Sequence, residues 1–126
     1  IDFPEEEIDF LADGDLAGFA QLRHGPAPRC VEGPEPIELW RFYLAREWHG
    51  LGLAQMLMRR VDDEAGRATG RTLWLGVWER NQRAKAFYRK CGFVDVGAHV
   101  FMVGNDAQTD RIMVRPIAPG STIAVP

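Results

Sequence analysis

Six residues, His49-Gly50-Leu51-Gly52-Leu53-Ala54, form the first pattern with chemical content. They stand between a run of strand character and the first turn of an amphipathic helix. Such a turn leaves backbone N–H groups unpaired at the positive end of a helix dipole, and glycines let an anion approach the backbone closely. A phosphate or pyrophosphate is the ligand it suits. No Gly-Lys-Ser/Thr triplet completes a nucleotide P-loop, and Gln55 three residues after Gly52 breaks a GxGxxG pattern, so a nucleotide-binding α/β module is the weaker choice. Tight packing of a strand against a helix also calls for small residues, and the turn alone leaves both readings open.

A second stretch runs from Asn81 to Phe93, NQRAKAFYRKCGF. Asn81 is a good helix cap, Ala84, Phe87, Tyr88 and Cys91 fall on one helical stripe, and Gly92 stands where a left-handed cap ends the helix. Taken with the first stretch, the chain resembles the GNAT superfamily of N-acetyltransferases. The family pattern Q/R-x-x-G-x-G/A aligns with His49, Gly52 and Ala54, with His in the Q/R place, and the pattern N-x-x-A-x-x-F-Y-x-x-x-G-F is met from Asn81 to Phe93. The resemblance spans roughly Ile8 to Ile117.

The resemblance implies an acetyl transfer from acetyl-CoA to an amine by direct attack in a ternary complex, without a protein nucleophile. It implies that the backbone of Leu44 and Ala45 pairs with the pantetheine arm and that the turn Gly50, Leu51, Gly52, Leu53 and Ala54 holds the pyrophosphate. His49 stands where the family has Gln or Arg, a departure that affects a side-chain phosphate contact and leaves the backbone contacts in place. Asn81 and Ala84 belong by the same resemblance to the cofactor site. Tyr88 matches the tyrosine whose hydroxyl serves the departing thiolate, and the N–H of Leu44 is the implied oxyanion donor.

Glu38 is the first candidate for the base. It lies eleven residues before His49, a spacing like that in the histone acetyltransferase branch, and Trp40 and Phe42 beside it would partly desolvate the carboxylate. An outward-facing strand-end glutamate is the competing reading. Another branch carries a glutamate on the next strand, where this chain has Gly76. Glu79, His24 and His99 are weaker candidates, and Cys91 on its core stripe reads as a small buried hydrophobe. No His, Cys and carboxylate cluster has metal-ligand spacing, so no metal is expected.

The elements that must position these groups follow from pattern. Glu7–Ala12 and Leu16–Leu22, separated by Asp13-Gly14-Asp15, predict an antiparallel hairpin. A Pro-rich stretch from Gly25 to Pro36 predicts a loop, and Ile37–Leu44 a strand with Ile37, Leu39, Arg41, Tyr43 on one face and Glu38, Trp40, Phe42, Leu44 on the other. Leu53, Leu57, Val61 and Ala65 recur at helical spacing, with Arg59, Arg60, Asp62 and Asp63 at other positions. Thr72–Trp78 then reads as a strand parallel to Ile37–Leu44, joined to it by the helix. Phe93–Val103 is a further strand, Asn105-Asp106-Ala107-Gln108 a hairpin connection, and Asp110–Ile117 the returning strand, with Ala118–Pro126 a frayed tail. The fold class is α/β, and the resemblance makes it a central mixed sheet splayed between Ile37–Leu44 and Thr72–Trp78.

The bulk numbers agree with one small domain: 126 residues, 46% hydrophobic and 26% charged. Against the family pattern the chain is short at its start, beginning almost at the hairpin. A net charge of -3 and no run of Lys or Arg argue against nucleic acid. Two cysteines do not make a disulfide framework, and no apolar stretch is long enough to span a bilayer, which points to a soluble, cytoplasmic protein. The acceptor expected is a small-molecule amine or a protein or peptide amine, and the resemblance is compatible with a homodimer. A non-catalytic acyl-CoA-binding regulatory module is the alternative.

Overall fold

The computed structural model describes residues 5–117; the predicted frayed tail, Ala118–Pro126, lies outside them. Six strands form one mixed sheet in the order β1-β2-β3-β4-β6-β5. They are β1 (Glu5–Ala12), β2 (Asp15–Arg23), β3 (Pro36–Leu44), β4 (Thr72–Trp78), β5 (Val94–Val103) and β6 (Asp106–Pro116), with helices α1 (Leu53–Arg67) and α2 (Gln82–Lys90). The expected crossover holds, since β3 and β4 run parallel on either side of α1 in sequence. They pair only from Pro36–Thr72 to Glu38–Trp74 and then part. That splay opens the sheet at its centre.

One hydrophobic cluster packs both helices on the same face of the sheet. Leu57, Val61 and Ala65 of α1 are fully buried against Ile8, Ala20, Leu22, Ile37 and Leu39, and Ala84, Phe87, Tyr88 and Cys91 of α2 lie against the same cluster. At about 1.5–3 kcal/mol for each large apolar side chain buried, this stripe fixes α1 far more strongly than helix propensity could. The start of α1 is therefore held in place from within the core. Across the opposite face runs the segment after β2: Thr72 Oγ1 donates to the Pro34 carbonyl at 2.7 Å, and Cys30 lies over Gly97.

Two expectations change. In β3 the strict alternation fails, because Gln21 pairs with Arg41 and Leu22 with Leu39, leaving Trp40 as the extra residue of a bulge. Phe42 and Leu44 thereby join Ile37 and Leu39 on the helix-covered face, while Arg41 and Tyr43 are exposed. At the chain's end the hairpin connection is Gly104-Asn105, with Val103 opposite Asp106, so β6 begins earlier than predicted. Asp62, off the apolar stripe of α1, is nevertheless buried: Arg115 Nη2 donates to its Oδ2 at 2.8 Å, and the Arg115 guanidinium lies 4.9 Å from the Phe93 ring. A charge pair with partners at both ends is the form in which a buried aspartate is tolerated. Among the described residues no helix is long and apolar enough to cross a membrane.

Candidate active site

After β3 the chain makes a short 3-10 turn at Arg46–Trp48 and enters α1 through Gly50 and Gly52, whose φ angles are 80° and 76°. Left-handed backbone is the reason for glycine here, since a side chain at either position would meet nothing within 4 Å. Gly52 is the N-cap of α1 and offers no side-chain acceptor, and the first turn holds no acidic residue. The leading N–H groups of α1 thus have neither a cap nor a counter-charge from their own helix. Where the sequence leads one to expect an anion, the structure has an open helix start.

His49 serves a purpose the sequence did not suggest. Its Nε2 lies 2.7 Å from the Leu44 carbonyl and its Nδ1 3.1 Å from Arg83 Nη2. A carbonyl only accepts and a guanidinium only donates, so this pair of contacts suits the tautomer that donates from Nε2 and accepts at Nδ1. The imidazole ties the end of β3 to the first turn of α2 and holds Arg83 beside the open start of α1.

These elements border one cleft of about 750 Å³. Phe42, Tyr43 and Leu44 supply its strand edge, His49, Gly50, Gly52, Ala54 and Gln55 its turn, and Asn81, Arg83, Ala84, Phe87, Tyr88 and Lys90 its α2 wall. Of the residues expected from sequence, Ala45, Leu51 and Leu53 do not line it. Leu51 points to solvent at 63% exposure, and the Ala45 N–H is donated to the Ala17 carbonyl at 2.7 Å. Since that N–H faces β2, strand alternation turns the N–H groups of Leu44 and Phe42 toward the splay.

Asn81 caps α2, its Oδ1 accepting from the Ala84 N–H at 3.1 Å. Tyr88 is packed edge-on against Phe42 and Phe93, with ring centroids 6.2 and 5.6 Å away, and also meets Phe87. Burial, with a smaller contribution from Cys91, pushes its phenol up to about 12, so it is a proton donor throughout the neutral range. Cys91 is likewise pushed up by burial and stays a thiol, as a packing residue should.

Glu38 is not brought to this cleft. Its Oε1 accepts from Arg23 Nε at 2.7 Å, and the Arg23 and Arg41 guanidiniums sandwich the Trp40 ring at 4.1 Å each. His24 lies 3.2 Å from the Ala68 carbonyl, at the far end of α1, and Glu79 follows β4 with its N–H on Thr109. Sequence reasoning missed Phe42, Gln55, Arg83, Phe87 and Lys90 as cleft residues, although Arg83, Phe87 and Lys90 stand inside the Asn81–Phe93 motif. Periodicity places a residue on a helix face but does not say which facing element is absent. Among the described residues, no three or more His, Cys, Asp or Glu side chains converge as a metal ion requires.

Residues 3–93 match the Acetyltransferase (GNAT) family. An uncharacterized N-acetyltransferase of Mycobacterium bovis is 36% identical over 105 residues, covering 83% of this chain and 63% of its own length. An uncharacterized N-acetyltransferase of Lactobacillus delbrueckii subsp. lactis is 33% identical over the same span, with 61% of its own length covered. The chain therefore spans less than two thirds of these curated relatives. Among solved structures, spermidine N-acetyltransferase from Vibrio cholerae, in complex with CoA and spermine, superposes with a TM-score of 0.71 at 24% identity, over 90% of this chain and 66% of that one.

Proposed function

The chain belongs to the GNAT acetyltransferase family, and we propose that it transfers the acetyl group of acetyl-CoA to a primary amine by direct attack in a ternary complex. The observation that carries this reading is the meeting of two features in one cleft. An uncapped helix start with Arg83 beside it accounts for a pyrophosphate, and a protonated Tyr88 accounts for a leaving thiolate.

The residues present fit coenzyme A. In this reading the N–H groups after Gly52 and the Arg83 guanidinium take the pyrophosphate, and Lys90 adds a second cation to the cleft. The edge of β3 at Phe42 and Leu44 offers ladder partners to the amides of pantetheine, and the Leu44 N–H is the donor for the developing oxyanion. When bound, the acetyl thioester supplies the electrophilic carbonyl. As the amine nitrogen bonds to that carbon, the C–S bond breaks, Tyr88 gives its proton to the sulfur, and the nitrogen loses one to a base.

The acceptor class is an amine, either a small molecule or a protein or peptide amine; the spermine-bound neighbour makes polyamines the first probes. Calorimetry with coenzyme A, ATP and NAD tests the cofactor, and thiol release from acetyl-CoA over a panel of spermine, an aminoglycoside and a lysine peptide tests the transfer. Coenzyme A should bind in preference to both nucleotides, and at least one amine should release thiol. Binding without turnover of any amine would replace the enzyme by a non-catalytic acyl-CoA-binding module.

A further inference from the structure

On β4, Leu73, Leu75 and Val77 face the helices, so Trp74, Gly76 and Trp78 face the other way. The last rung shared by β3 and β4 is Glu38–Trp74, which puts Gly76 on the open edge of the splay. Gly76 has no side chain, yet the space one would occupy is not empty. A Cβ there would lie 3.2 Å from Oδ2 of Asp110 and 3.7 Å from its Cβ. The Asp110 carboxylate of β6 thus lies over the glycine of β4, on the face opposite the helices that carry Tyr88 and outside the lining of the cleft itself.

Asp110 is also well placed by its neighbours. Its cross-strand partners are Trp78 on β4 and His99 on β5, and His99 is the one titratable group that acts on it from the strands beside it. Arg111, the next residue, is committed elsewhere, donating to both oxygens of Asp95 at 2.8 Å. Asp110 itself makes no ion pair or side-chain hydrogen bond among the described residues, whereas Glu38 is engaged by Arg23. Burial pushes its carboxyl up from the ordinary aspartate value, and His99 only partly offsets this.

We propose that Asp110 is the carboxylate that receives the acceptor amine and takes its proton, entering the splay over Gly76 from the neighbouring strand. This rests on the acetyl-transfer reading given above. The step balances: the ammonium first gives one proton to the Asp110 carboxylate, which passes it to solvent; the N–C bond of the neutral amine then forms as the C–S bond breaks, the second N–H proton leaves by the same carboxylate to solvent, and Tyr88 protonates the sulfur and is itself reprotonated from solvent. Trp78, 46% exposed beside Asp110, offers a ring face to a cation or its apolar stem. The acceptor chemistry that fits is a primary ammonium on an aliphatic stem.

The test uses Asp110→Asn and Asp110→Glu on the full chain, with whichever amine of the panel the wild type turns over fastest. Asp110→Asn should lower kcat/KM by ~10²-fold and remove the acid limb of its pH profile, with coenzyme A affinity by calorimetry within about twofold. Asp110→Glu should restore part of the rate and bring the acid limb back, which a purely structural role would not do. An Asp110→Asn enzyme within about threefold of wild type, with its acid limb intact, overturns the assignment and leaves the transfer reading standing; so does a large loss in Glu38→Gln alone. A wild type that turns over no amine overturns both.

Discussion

The two helices of this protein begin at the same cleft and treat their first N–H groups in opposite ways. At α2 the Asn81 side chain caps the helix, and the side chains that face the cleft, Arg83 and Tyr88, stand further along. At α1 the cap is Gly52, which has nothing to donate or accept beyond its backbone, and what faces the cleft is the open helix start itself. A self-satisfied helix start is stable without a ligand; an open one is completed by an anion. In the proposed reading the difference separates stability from binding along one cleft, with His49 bridging the end of β3 and Arg83 of α2.

That contrast can be broken most directly at Gly52. Gly52→Asp places a carboxylate at the helix start in a left-handed position that Asp tolerates better than most residues, and it should weaken coenzyme A by ~10²-fold, or ~2.7 kcal/mol, in calorimetry. Unchanged affinity would mean that the start of α1 is not the phosphate seat. Tyr88→Phe should lower kcat by ~30-fold while coenzyme A affinity stays within about threefold, marking α2 as the source of chemistry. Because burial holds the phenol at about 12, that loss should be constant from neutral to moderately alkaline pH.

Smaller effects sharpen the picture. Arg83→Gln should weaken coenzyme A by ~5-fold at low salt and less at high salt, as expected for a partly exposed cation near a phosphate. At the other helix start, Asn81→Ala should lower stability by ~1 kcal/mol and Tm by ~4 °C in thermal unfolding of the unliganded protein. A mutation at Gly52 that cost as much unliganded stability as one at Asn81 would erase the distinction between them.

Much of this was legible in the chain. Asp13-Gly14 marked the first hairpin, Gly92 (φ 94°) ended α2, and the bounds of β4 and α2 follow from the apolar run Thr72–Trp78 and the Ala84, Phe87, Tyr88 stripe. Such signals are local, since each rests on dihedral preference or periodicity within one element. The bulge at Trp40 was not legible, because it exists only in the pairing of β3 with β2, and it moved Phe42 into the cleft. The burial of Asp62 was not legible for a similar reason: its partner Arg115 lies on a strand far along the chain.

By itself, the sequence determined the family, the open glycine turn that begins α1 and the tyrosine on α2, because each depends on residue types at short, invariant spacings. Only the tertiary structure showed which carboxylates are paired and which lie over the open edge of β4. Glu38 had the right spacing but is paired with Arg23, and Asp110 had no motif at all yet fills the space that Gly76 leaves. The physical reason is that a side chain's availability depends on the strands beside it, and sheet order is a long-range property that no local pattern encodes.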